Sequence, residues 1–99
     1  MRLSPIEIDT IKSETVQQFG ADARVFLFGS RLDDSQRGGD IDLLVDLPQP
    51  QANKVRAALR MNARLQMQLG IQKIDILLLD PQTAQLSIHH AALRTGIEL

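Results

Sequence analysis

The chain has 99 residues, with 11 Lys and Arg against 12 Asp and Glu, and no Cys, Trp or Tyr. That length suits one small domain, residues 1–99, which buries roughly 60–65% of its unfolded surface in one core. The near-neutral balance argues against direct nucleic-acid binding. With three Phe as the only aromatics, a base-stacking platform is excluded as well. Zero Cys removes disulfide scaffolds, thiolate metal sites and cysteine nucleophiles. The opening residues carry no leader-like apolar run, and no segment approaches the ~18 apolar residues of a membrane span. A soluble, cytoplasmic domain is the expectation.

Ser4-Pro5-x-Glu7 reads as a helix start, with Ser4 as N-cap, Pro5 in the first turn and Glu7 closing a capping box. Ile8, Ile11, Thr15 and Phe19 then recur at helical spacing, up to a stop at Gly20. Residues 23–28 form a β-branched and aromatic run ending at Gly29-Ser30, and a polar, turn-rich stretch leads to a second strand over residues 40–46. Pro48 and Pro50 break that strand. A helix is predicted over residues 51–69, stopped by Gly70, with Val55, Ala58, Leu59, Leu65 and Leu69 as its inward stripe. Arg56, Arg60 and Arg64 fall on its far side with Met67, as a solvated face or a docking surface for an acidic partner. Residues 73–79 form a third strand, and residues 83–95 a last helix closing at Gly96. That helix carries His89 and His90, which lack metal-ligand neighbours, and apolar residues on two sides (Leu86 and Leu93; Ile88, Ala91 and Ala92).

The order α-β-β-α-β-α predicts an α/β chain of the α+β type: a small mixed β-sheet with helices packed on it. Strands joined through a helix favour a parallel crossover, whereas the first two, joined by a polar loop, are expected to be antiparallel. Charge is uneven along the chain: residues 1–50 carry 9 acids and 5 bases, and residues 51–99 carry 3 acids and 6 bases.

The chemistry concentrates in Gly29-Ser30-Arg31 and in Gly38-Gly39-Asp40-Ile41-Asp42. Two residues apart on a strand, Asp40 and Asp42 share a face. Such paired carboxylates suit Mg²⁺, which takes one or two carboxylates together with phosphate oxygens. Asp75 is a third carboxylate inside an apolar strand, to be paired with Lys73 or held by a metal. If its strand neighbours the second, the three converge on one sheet edge as the material of a two-metal phosphoryl-transfer site. Gly29 and Ser30 offer a close backbone approach and a hydroxyl to a phosphate, and Arg31 a positive charge.

Strand, Gly-Ser, loop, Asp-x-Asp strand, helix and a strand with a third Asp together resemble the nucleotidyltransferase superfamily of DNA polymerase beta type. From Val25 to Leu99 the chain is similar to its minimal nucleotidyltransferase (MNT) branch, including the ending LRTGIEL. The resemblance implies a nucleotidyltransferase core, with Asp40, Asp42 and Asp75 as metal-binding and catalytic residues. It further implies that Gly29, Ser30 and Arg31 bind nucleotide, that ATP is the donor, and that two Mg²⁺ ions serve as cofactors. It also implies a HEPN-type helical toxin as partner, for which such proteins act as antitoxins, some by transferring AMP to a tyrosine. Residues 31–39 make the Gly-Ser to Asp-x-Asp spacing one residue shorter than the usual pattern, and Asp33 and Asp34 lie within it. Two alternatives therefore stand beside the enzyme: a non-catalytic module acting by occlusion, and the catalytic subunit of a small-molecule, antibiotic-type nucleotidyltransferase.

Overall fold

The protein is described from a computed structural model, which describes residues 3–29, 41–82, 93 and 95–99. The first helix, α1 (Pro5–Phe19), starts as its sequence dictates. Ser4 Oγ accepts from the Glu7 amide at 3.2 Å, and Glu7 Oε1 accepts from the Ser4 amide at 2.9 Å, satisfying two end groups reciprocally. Strands β1 (Arg24–Phe28) and β2 (Ile41–Asp46) follow, then α2 (Lys54–Leu69), β3 (Ile74–Leu79) and a two-residue β4 (Ile97–Glu98). Each of the first three strands lies within one residue of its expected bounds. The fourth was not expected, because two residues after Gly96 carry no strand signal of their own.

The sheet order is β3-β2-β1-β4. As expected, β1 and β2 are antiparallel, and β2 and β3, joined through α2, are parallel; β4 pairs antiparallel with β1. Period-two alternation divides the strand residues between two layers. Val25 and Leu27, Ile41, Leu43 and Val45, and Ile74 and Leu78 pack with Ile11, Ala57, Met61 and Leu65 of the helices. On the opposite face Phe26, Leu44 and Leu79 form a second cluster, against which Phe28, Leu77 and Leu93 pack. Both helices thus cover one face of the mixed sheet, an α+β arrangement.

The inward stripe of α2 differs from the expected one. Ala57, Met61 and Leu65, at i, i+4 and i+8, are buried, whereas Val55 is 73% and Leu59 65% exposed. With Met61 fully buried on the sheet, Val55 and Leu59 line a groove beside β3 instead. Arg64 is likewise drawn back towards α1, where its Nε donates to Glu14 Oε2 at 2.6 Å and its Nη2 to Oε1 at 3.1 Å. Gln68 also donates to Glu14. Burial alone would raise the Glu14 pKa, but the Arg64 hydrogen bond outweighs it and the carboxyl titrates below its ordinary range. The last helix was expected over residues 83–95. Leu93 and Thr95 are helical, and His89, His90, Leu86, Ile88, Ala91 and Ala92 lie outside the described residues.

Candidate functional site

The parity that sends Ile41 and Leu43 into the core sends Asp42 to the opposite face of β2, and the same parity places Asp75 on that face of β3. Phe28 pairs with Asp42 across β1 and β2, and Asp42 pairs with Asp75 across β2 and β3. Directly paired residues share a sheet face, so Phe28, Asp42 and Asp75 form one row across three strands. Neighbouring strands lie about 4.8 Å apart, which holds the two carboxylates side by side. The next row inward is Phe26, Leu44 and Leu77, an apolar base beneath the charged one. Asp42 is half-buried and Asp75 exposed. A carboxylate inside an apolar strand is expected to be enclosed, but Asp75 is not: among the described residues β3 is the edge strand, so solvent reaches a side chain that a central strand would enclose. Lys73 does not pair with it either; among the described residues no ion pair is made to Asp75.

Gly29 joins this row from the end of β1. Its φ is +80°, a conformation side-chain-bearing residues rarely adopt. A Cβ built there would lie 3.0 Å from the Asp42 carboxylate carbon and closer still to its Oδ2. The missing side chain is therefore the space the Asp42 carboxylate occupies. The expected grouping of Gly29 with two acids is thus found for Asp42 and Asp75. Ser30, Arg31 and Asp40 lie outside the described residues.

Two hard carboxylate oxygen sets abreast, beside a backbone without a side chain, match the donor chemistry of a divalent cation such as Mg²⁺. Among the described residues no cluster of three or more His, Cys, Asp or Glu side chains is gathered. At the opposite end of the sheet Asp46 lies 3.9 Å from Arg24, whose guanidinium also donates twice to Glu98, at 2.9 and 3.3 Å. That double contact holds the Glu98 carboxyl below its ordinary range.

A third carboxylate, missed in the sequence, organises the framework. In the sequence, Asp80-Pro81 marks only the end of the third strand. Its buried side chain accepts from the Gln51 amide at 2.7 Å and the Gln82 amide at 3.0 Å, and its Oδ2 lies 3.4 Å from Lys54 Nζ. Asp80 therefore ties the start of α2 to the end of β3. Its one local signal was the Asp-Pro turn pattern, in which an Asp side chain commonly bonds the amide two residues on.

No helix among the described residues is long and apolar enough to cross a membrane. No curated protein matches the chain. The family described as nucleotidyltransferase domain matches residues 8–88, which is 81 of the 99 residues and includes Gly29, Asp42 and Asp75. This chain belongs to the nucleotidyltransferase domain family, within the DNA polymerase beta-like superfamily.

Proposed function

We propose that the protein is a Mg²⁺-dependent nucleotidyltransferase that moves a nucleoside monophosphate, AMP from ATP, onto a hydroxyl of a partner protein. The observation that carries this reading is the register of Asp42 and Asp75 beside the side-chain-free Gly29. Asp42 and Asp75, with Asp40, would hold the metal ions. When bound, such ions supply charge stabilisation for an in-line displacement at phosphorus. Gly29, Ser30 and Arg31 receive the triphosphate at the end of β1. Exposed at the rim, Asp75 takes the proton of the incoming hydroxyl. The hydroxyl oxygen bonds the α-phosphorus, the bond to the β-phosphate oxygen breaks, and pyrophosphate leaves. The exposed Asp75, on the edge strand of the described sheet, lets an acceptor approach on its own surface, which favours a protein. A HEPN-type helical toxin is the proposed partner, with this chain as its antitoxin.

The test is label transfer from α-³²P-ATP to a co-purified partner, with and without Mg²⁺. Transfer that needs Mg²⁺ and is lost in Asp42→Asn and Asp75→Asn is the expected result. A partner bound and neutralised equally well by both variants without ATP would overturn the enzymatic reading in favour of occlusion.

A further inference from the structure

The sheet stops at β3, which has β2 on one side and no strand on the other among the described residues. The Ile41 amide donates to the Lys73 carbonyl at 3.1 Å, and the Leu47 amide to the Leu79 carbonyl at 2.7 Å. Odd-numbered residues therefore turn their peptide groups towards β2, and Ile74, Ile76 and Leu78 turn theirs outward. The side-chain amide of Asn62 donates to the Ile74 carbonyl at 2.6 Å and closes the edge at that end. Beyond it, Ile76 and Leu78 present a ready main-chain ladder.

Alongside runs a groove of about 360 Å³, walled by β3 and by Val55, Ala58 and Leu59 of α2, and reaching Asp75. Val55 and Leu59, largely exposed, line that groove together with Ile76 and Leu78 of β3. Three features thus converge: outward peptide groups, an apolar wall along an edge that has no further strand among the described residues, and a carboxylate of the proposed site in the same strand.

We infer that an extended segment of the acceptor polypeptide pairs with β3 as a further strand, setting a Ser or Thr directly abreast of Asp75. This inference rests on the nucleotidyl-transfer reading above. Alternation then fixes the segment's pattern. The hydroxyl residue points to the face of Asp42 and Asp75, and its two chain neighbours point to Val55 and Leu59 and are apolar. Cross-strand Cβ atoms lie about 5 Å apart, so the short side chain of a Ser or Thr brings its hydroxyl within hydrogen-bond reach of the Asp75 carboxylate, which takes its proton as the oxygen bonds the α-phosphorus and pyrophosphate departs. A nucleic-acid acceptor does not suit this groove, because Lys54, at its rim, is ion-paired with Asp80.

The test is a ¹⁵N NMR titration of the full chain with the synthetic peptide Lys-Thr-Val-Ser-Val-Thr-Lys, followed by addition of Mg²⁺ and ATP. Saturable shifts at the amides of Ile76 and Leu78 are expected below ~1 mM peptide. Val55→Asp with Leu59→Asp, both at exposed positions, is expected to weaken binding by about tenfold or more. Ile71→Asp, exposed and outside the groove, leaves binding unchanged. The absence of saturable shifts at these amides, equal binding by the double variant, or concentration-dependent shifts of the same amides without peptide, marking a second copy on the edge, would each overturn the inference. Peptide bound at β3 with no nucleotide passing to its hydroxyl residues sustains the docking edge and defeats the transfer reading. Nucleotide passing to the peptide without β3 shifts does the opposite.

Discussion

Asp42 and Asp75 stand abreast on neighbouring parallel strands, on the sheet face turned away from α1 and α2. Like charges paired across strands repel unless something positive compensates them. At the other end of the same sheet Arg24 stands beside Asp46.

The first prediction follows from that repulsion. Without divalent ions, Asp75→Asn raises stability by about 0.2–1 kcal/mol, since it relieves a like-charge pair at an exposed position. Added Mg²⁺ reverses the order, because binding stabilises the wild type by mass action and the variant less. Urea melts with and without Mg²⁺ check both signs. Nucleotidyl transfer by the variant is expected to fall by about 10²–10³-fold, the scale for losing one preorganised electrostatic contact.

A pair of glycine substitutions separates backbone strain from loss of space. Gly70, with φ +89° and ψ 169°, has nothing near its missing side chain, whereas Gly29 has the Asp42 carboxylate there. Gly70→Ala is expected to cost about 1–3 kcal/mol from strain alone. Gly29→Ala adds a packing cost of about 1–3 kcal/mol. The clash displaces Asp42, so only Gly29→Ala weakens Mg²⁺-nucleotide binding, as calorimetric titration of both variants would show.

The buried Glu14 makes stability pH-dependent. Arg64 lowers its folded pKa below the unfolded value, so its contribution is fully present above the ordinary glutamate range. That contribution is lost as pH falls through the lower folded value. Glu14→Gln is expected to flatten this acid limb of the pH–stability curve, measured by thermal melts. Arg64→Ala leaves the buried carboxylate facing only Gln68 and lowers the urea midpoint more than Arg60→Ala does, at neutral pH.

Asp80 is expected to be the most sensitive of the carboxylates for folding. Asp80→Ala removes the acceptor of two backbone amides and costs about 2–4 kcal/mol. Lys54→Met removes only a part-exposed ion-pair partner and costs less than about 1 kcal/mol. Hydrogen exchange at the Gln51 amide, faster in Asp80→Ala than in Lys54→Met, would locate the loosening at the start of α2.

What could be read along the chain was what neighbouring residues encode between themselves. Ser4 and Glu7 are three apart, so the capping box needs no other part of the molecule. Gly20 and Gly70 end their helices by backbone freedom alone. Strand alternation assigns Asp42 and Asp75 to the face away from their apolar neighbours, and the helix between their strands makes those strands parallel. Belonging to a nucleotidyltransferase fold was legible for the same reason, because its signature is a string of local signals in a set order.

Only the tertiary structure decided the rest, because each remaining feature depends on a partner distant in the chain. The wheel of α2 offers more than one apolar stripe, and the sheet beneath selected Ala57, Met61 and Leu65, leaving Val55 and Leu59 exposed. Glu14 is buried only because Arg64, fifty residues on, meets it. Asp80 is a tie rather than a strand end because the Gln51 amide lies within its reach. Two residues after Gly96 become β4 only because β1 offers an edge. Asp75 reaches solvent because β3 is the last strand on its side, and strand order is settled by pairing across the sheet rather than by any pattern within a strand.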